Sequence, residues 1–202
     1  MKPARKERIN SIMKIVCIGD SLTEGYGVGR SENWVALLNG RNGYEFVNRG
    51  ISGDTTGGML SRFQRDVVDE NPQLVIIMGG ANDFIMGDSP GSVRANIMAM
   101  VHQAYHRRII PIIGTGLKAD AENFRKDWAE ITDVGRLIER TAGLREWIIE
   151  FCGTFSTKYI DFYAEFEKRT AGGHGSYLFD GLHPSQEGHR IMAEIAYESL
   201  FR

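Results

Sequence analysis

Four short segments of this chain carry side chains able to do chemistry. Gly19-Asp20-Ser21-Leu22 offers a hydroxyl and Gly50-Ile51-Ser52-Gly53-Asp54 a glycine-containing turn. Gly79-Gly80-Ala81-Asn82-Asp83 offers a neutral amide, and Asp180-Gly181-Leu182-His183-Pro184 a carboxylate three residues before an imidazole. A serine hydroxyl is a poor nucleophile until a base takes its proton, and imidazole is suited to that task near neutrality. Taken singly, each segment has a plainer reading. Gly-Asp-Ser is a turn, Gly53 a turn glycine, Asn82 a loop residue capping backbone, and Asp180 with His183 a cap for the last helix. Their order along the chain gives them weight, because the first three directly follow short β-branched runs and the fourth comes after the last such run.

Together the segments resemble the four sequence blocks of the SGNH (GDSL-type) hydrolases, with Ser21, Gly53, Asn82 and His183 at the positions for which that family is named. The flanking residues fit as well: GDSLTEG, GGAND and DGLHPS. The resemblance spans nearly the whole chain. It implies a serine esterase in which Ser21 forms an acyl-enzyme, His183 is the base and Asp180 holds one ring nitrogen and stabilises the imidazolium that forms. It also implies an oxyanion hole made from the backbone N–H of Ser21, the backbone N–H of Gly53 and the side-chain amide of Asn82. No metal and no organic cofactor enter this scheme. The expected partner is a small-molecule carboxylic ester of short to medium acyl chain. The alternatives are an acyl-CoA thioesterase or lysophospholipase acting on longer chains, or a non-catalytic flavodoxin-like module holding an anion or nucleotide. Proximity in sequence to the blocks nominates Tyr26, Phe84, Met86 and Leu182 as substrate-binding residues, with Leu117, Tyr177 and Phe179 as further pocket liners.

Other motifs carry less. Gly25, Gly27 and Gly29 do not sit directly between strand and helix as a dinucleotide fingerprint requires, and neither GxxxxGK[ST] nor GxSxG occurs. His102 and His106 are one helical turn apart but lack the HExxH glutamate, so they read as surface residues. Trp128, Trp147, Met98 and Met100 read as packing, and Asp20 and Asp83 as loop anchors. His174 and His189 have no evident partner.

The elements that must position these residues alternate. Lys14 to Ile18, Glu45 to Asn48, Leu74 to Met78, Ile109 to Ile113 and Lys158 to Phe162 have the length and branching of strands. Helical spacing lies between them, as in Met59, Phe63, Val67 and again in Val93, Ile97, Met100, Val101. Ser89 is a predicted N-cap before Pro90, Pro72 ends the helix ahead of the third strand, and the last helix runs near Ser185 to Leu200. Strands apolar on both faces alternating with helices predict an α/β fold, a three-layer α/β/α sandwich around a five-stranded, mostly parallel, flavodoxin-like sheet. Residues 117–153 read as a helical excursion between the fourth and fifth strands.

Bulk properties bound the rest. A chain of 202 residues with 42% hydrophobic content fits one domain, read as residues 13–202 behind a charged tail at 1–12. A net charge of -2 offers no polycationic surface, so nucleic acid is not an expected partner. No apolar run approaches the roughly 20 residues of a membrane span. The apolar run after the basic start is too short for a signal-peptide core, which gives a cytoplasmic expectation. Cys17 and Cys152 have no CxxC spacing and read as buried, reduced thiols.

Overall fold

The computed structural model of the chain describes residues 13–171 and 173–201; the predicted charged tail, 1–12, lies outside the described residues. In chain order the elements are β1 (Met13–Gly19), α1 (Ser21–Glu24), α2 (Trp34–Leu38), β2 (Tyr44–Gly50) and α3 (Thr56–Phe63). They continue with β3 (Leu74–Met78), α4 (Ala81–Ile85), α5 (Pro90–His106), β4 (Ile110–Gly114) and α6 (Lys126–Ala129). The chain closes with α7 (Val134–Phe155), β5 (Lys158–Ile160), α8 (Phe162–Arg169) and α9 (Gln186–Phe201). All four strand pairings are parallel, and the sheet order is β2-β1-β3-β4-β5. That is the flavodoxin-like order, in which the chain reverses its direction of travel across the sheet between β1 and β3.

Residue alternation along β1 builds the two cores. Val16 and Ile18 face a cluster with Met59, Phe63 and Val67 of the α3 region, Val93 and Ile97 of α5, and Leu144 and Ile148 of α7. Ile15 and Cys17 face the opposite cluster with Trp34 and Leu38 of α2, Phe162 and Phe166 of α8, and Met192 and Ile195 of α9. A two-residue period sends neighbours to opposite faces, so a strand apolar at every position serves both layers. The Met59, Phe63, Val67 spacing stays buried although the helix loosens into a π turn at Gln64–Val68.

The helix punctuation is chemical. The Ser89 side chain accepts the Ser92 N–H at 3.1 Å, with Pro90 opening α5. β5 ends at Ile160, two residues short of the sequence expectation, because the Asp161 side chain caps α8 by accepting the Ala164 N–H. A residue committed to an N-cap leaves the strand, and Phe162 turns into the core instead. Similarly, β4 begins at Ile110 while Ile109 is already buried beneath α5. No helix among the described residues is long and apolar enough to cross a membrane.

His189 on α9 is fully buried, and its Nδ1 accepts the backbone N–H of Trp34 at 3.3 Å, which leaves the proton on Nε2. Burial first, and the neighbouring His183 second, lower its pKa to about 4. An unfolded histidine titrates near 6.5, so between those values the unfolded chain binds a proton that the folded chain refuses. Stability should therefore fall by about 3 kcal/mol as pH drops from about 7 to about 4 through this residue alone. Urea midpoints across that range should decline less steeply in His189→Gln than in the wild type. Parallel declines would show that His189 is not the source.

Candidate active site

The four segments meet at the carboxyl ends of β1, β2 and β3, beside the point where the chain reverses its direction across the sheet, and there the helices start. Asp20 opens α1: its carboxylate accepts the Leu22 N–H at 2.9 Å and so turns the chain out of β1. Ser21 is then the first residue of α1, where a backbone N–H has no intrahelical acceptor. The Asp20 carboxyl is 2% exposed, and burial pushes its pKa up to about 6 against the opposing pull of the Leu22 N–H and His183.

His183 reaches Ser21 from the turn before α9. Its Nε2 lies 2.9 Å from Ser21 Oγ, and its Nδ1 lies 2.8 Å from Asp180 Oδ2. Asp180 Oδ1 accepts the backbone N–H groups of Leu182 at 3.1 Å and His183 at 2.8 Å, so one carboxylate shapes the turn and orients the ring. Burial on its own would raise the Asp180 pKa, but the His183 ring, the two backbone N–H donors and the charge nearby outweigh it, and the net shift is downward. The carboxylate is thus held ionised with the imidazole between it and the serine hydroxyl. That is the arrangement a proton needs to pass from Oγ to Nε2.

Gly53 sits in a tight turn closed by Asp54 N–H donating to Ile51 O at 3.1 Å, with φ of 80°. Asn82, the second residue of α4, donates from Nδ2 to Asp54 O at 2.9 Å, which uses one of the amide's two hydrogens. Next to it the fully buried Asp83 carboxylate accepts the Thr56 N–H and hydroxyl, tying α4 to the start of α3. Asp20 and Asp83 are therefore backbone anchors, as their sequence neighbourhood predicts.

A cleft of about 310 Å³ opens over Ser21, with Gly53, Asn82 and His183 in its wall. Of the residues nominated from sequence, Tyr26, Met86 and Leu182 line it. Phe84 does not: it is 6% exposed, packed in the core under the Arg140 guanidinium. One helical turn explains the correction, since Asn82 and Ile85 share a face three residues apart whereas Phe84 points to the other side. Leu117 is likewise buried in the core, and Tyr177 packs edge-on against Phe166, so neither borders the cleft. Phe179 stacks on Tyr26 at 6.1 Å and on His183 at 5.9 Å.

Five cleft residues escape the sequence reading: Ser52, Ile85, and from the excursion Ile131, Thr132 and Trp128, the last expected only as packing. The Trp128 ring stands edge-on to His183 at 5.2 Å, and Tyr26 lies 4.6 Å from the same imidazole. Trp128 is held by Arg125, whose guanidinium lies 4.8 Å over the indole. The available signal is an apolar pair, Trp128 and Ile131, inside an otherwise charged stretch, and Ile131 is 74% exposed. His102 and His106 are exposed on α5, and both cysteines are free and buried, with burial pushing their thiols up. Among the described residues no three His, Cys, Asp or Glu side chains gather as a metal site.

The excursion docks on the Asp180–His183 turn by backbone hydrogen bonds, Asp120 N–H to Gly181 O at 2.8 Å and Arg125 N–H to Asp180 O at 3.0 Å. Gly181 has φ of 80°, and a Cβ there would lie 2.5 Å from Phe124 Cα. Gly181→Ala should cost more than about 1 kcal/mol in a urea titration, through left-handed strain plus the clash. An unchanged midpoint would mean that the turn tolerates a side chain and that this contact is not close in solution.

With the geometry established, similarity to known proteins adds a lineage. Residues 17–191 match the model of the GDSL-like Lipase/Acylhydrolase family. Over 95 residues the chain is 38% identical to Esterase TesA of Pseudomonas aeruginosa, a match covering 45% of this chain and 47% of that protein. Over 93 residues it is 36% identical to an arylesterase of Vibrio mimicus, covering 44% and 46%. In these matches the chain spans about half the length of the curated relatives. A crystal structure of a member of the lipolytic protein G-D-S-L family from Veillonella parvula superposes with a TM-score of 0.80 at 26% identity, covering 94% of this chain and 99% of that one. The chain belongs to the GDSL-like lipase/acylhydrolase family.

Proposed function

We propose that this protein is a serine hydrolase of carboxylic esters with short to medium acyl chains. The observation that carries this reading is the unbroken hydrogen-bond chain from Ser21 through His183 to Asp180 at the floor of a cleft that Gly53 and Asn82 also border. Ser21 Oγ attacks the acyl carbonyl carbon while His183 Nε2 takes its proton, and Asp180 stabilises the imidazolium that forms. Negative charge developing on the carbonyl oxygen is met by the backbone N–H groups of Ser21 and Gly53 and by the remaining Asn82 amide hydrogen. His183 then protonates the departing alkoxide, leaving an acyl group on Ser21. Water, deprotonated by the same imidazole, attacks that acyl carbon and releases the carboxylic acid.

The cleft supports the acyl range. Its volume, about 310 Å³, is at the low end of ligand pockets, which run from roughly 300 to 1,000 Å³. Its walls are mainly apolar, from Tyr26, Ile85, Met86, Trp128, Ile131 and Leu182. The names of the two relatives, an esterase and an arylesterase, point to the same reaction class.

Two tests follow. Ser21→Ala should abolish hydrolysis of a nitrophenyl ester, and Asn82→Ala should lower kcat by roughly 10² or more, both with the wild-type circular dichroism spectrum. Loss of less than about tenfold in Ser21→Ala would sink the assignment. In a chain-length series on nitrophenyl and CoA esters, kcat/KM should peak at short to medium acyl groups, and Trp128→Ala should move that peak to longer ones by opening the wall. A wild-type optimum on long acyl-CoA would instead favour a thioesterase.

A further inference from the structure

The Gly53 turn makes few contacts of its own. A Cβ at Gly53 would meet nothing within 4 Å, and Ile51, Ser52 and Gly53 are all exposed. An oxyanion donor on such a turn must be aimed by something other than packing, because the benefit of a preorganised dipole depends on its not reorienting during the reaction. Hydrogen bonds grip the turn on both sides of the glycine. Before it, the Glu24 carboxylate accepts the Ser52 N–H at 2.6 Å and also the Ser52 hydroxyl. After it, Asp54 is held by the guanidinium of Arg62.

Arg62 is 8% exposed, and its guanidinium joins three segments. Its Nε donates to Asp54 Oδ2 at 2.7 Å, its Nη1 to Arg49 O at 2.8 Å and its Nη2 to Gly19 O at 3.0 Å. Gly19 is two residues before Ser21, Arg49 stands near the end of β2, and Asp54 directly follows Gly53. A rigid planar fork that bonds all three fixes the separation between the Ser21 and Gly53 segments. The fork is itself seated by Asp66, one helical turn on, which accepts Nη1 at 2.8 Å. Arg62 borders neither the cleft nor the Ser21–His183–Asp180 chain.

We propose that Arg62, acting through Asp54, is a positioning residue that sets the Gly53 N–H against the Ser21 N–H so that both point at one oxyanion. This rests on the esterase reading above. The clamp contributes nothing to holding the substrate's apolar parts, so its loss should appear in kcat and leave KM alone.

The test compares Arg62→Gln, Asp54→Ala and their double variant with the wild type on one nitrophenyl ester, alongside Arg65→Gln and Ser21→Ala. Active sites are counted by the acylation burst, and affinity is measured for a trifluoromethyl ketone. Ser21 Oγ adds to the carbon of that ketone, the C=O pair moves onto oxygen, and His183 takes the hydroxyl proton. The single variants should lose about 10- to 100-fold in kcat per active site and a similar factor in ketone affinity, with KM within about twofold. The double variant should lose no more than the worse single, because both break one linkage. Arg65→Gln, which removes an exposed partner of the same Asp66, should behave as wild type.

Wild-type kcat and ketone affinity in Arg62→Gln, with Ser21→Ala inactive, would overturn the clamp while leaving the esterase reading intact. Activity surviving in Ser21→Ala would instead remove the reading beneath it. A loss confined to the number of titratable sites, with kcat per site unchanged, would mean that Arg62 only supports folding, and that too overturns the proposal. Should Arg62→Gln not fold, Asp54→Ala carries the test, since it leaves Arg62 paired with Asp66 and keeps the Asp54 carbonyl for Asn82.

Discussion

A hydrogen bond of 2.9 Å joins Ser21 Oγ to His183 Nε2 across 162 residues of chain, and most of the molecule's organisation can be traced to the need to make it. Ser21 is delivered by the end of β1 and His183 by a turn that precedes α9, two elements brought together by the core on one face of the sheet. Neither residue could hold that distance from a free loop, because ordering a flexible segment costs about 1–2 kcal/mol per residue. The parallel sheet meets that cost through burial, and it leaves the strand ends to the site.

Polar groups around this bond are removed from water and nearly all are engaged by neighbours. Asp20 holds the Leu22 N–H, Asp83 the Thr56 N–H and hydroxyl, Asp180 two backbone N–H groups and the imidazole, and Arg62 two carboxylates and two carbonyls. A buried polar network rigidifies when its members are satisfied and is costly when one is not. The site therefore has a floor of hydrogen bonds and walls of apolar side chains. Those walls come mostly from three places far apart in sequence: Tyr26, Ile85 with Met86, and Trp128 with Ile131.

The same division separates what pattern predicts from what it misses. All five strands are legible from branched apolar runs, and β3 begins and ends as expected at Leu74 and Met78, because a fully buried parallel strand must be apolar on both faces. Errors fall at strand ends, as at β5, where the single polar side chain of Asp161 decides the outcome. Ser21, Gly53, Asn82, Asp180 and His183 are legible through the resemblance of four ordered blocks to the SGNH hydrolases, and the fold brings them together at one cleft.

Residue type and short-range period carry the alternation of strands and helices and their parallel assembly, while the resemblance of four ordered blocks to the SGNH hydrolases names the polar residues that the fold brings together at the cleft. Which way each neighbouring side chain faces, and what the long interval between β4 and β5 does, emerge with the long-range contacts. Phe84 turned inward because helical phase, not nearness to Asn82, sets direction. Trp128 reached His183 because backbone hydrogen bonds at Asp120 and Arg125 dock an aperiodic segment on the Asp180–Gly181 turn. Arg62 lies on a helix whose buried apolar positions explain its spacing, and nothing local reveals that its guanidinium spans Gly19, Arg49 and Asp54. Contacts between segments distant in sequence have no period to read, so they exist as information only once the chain has folded.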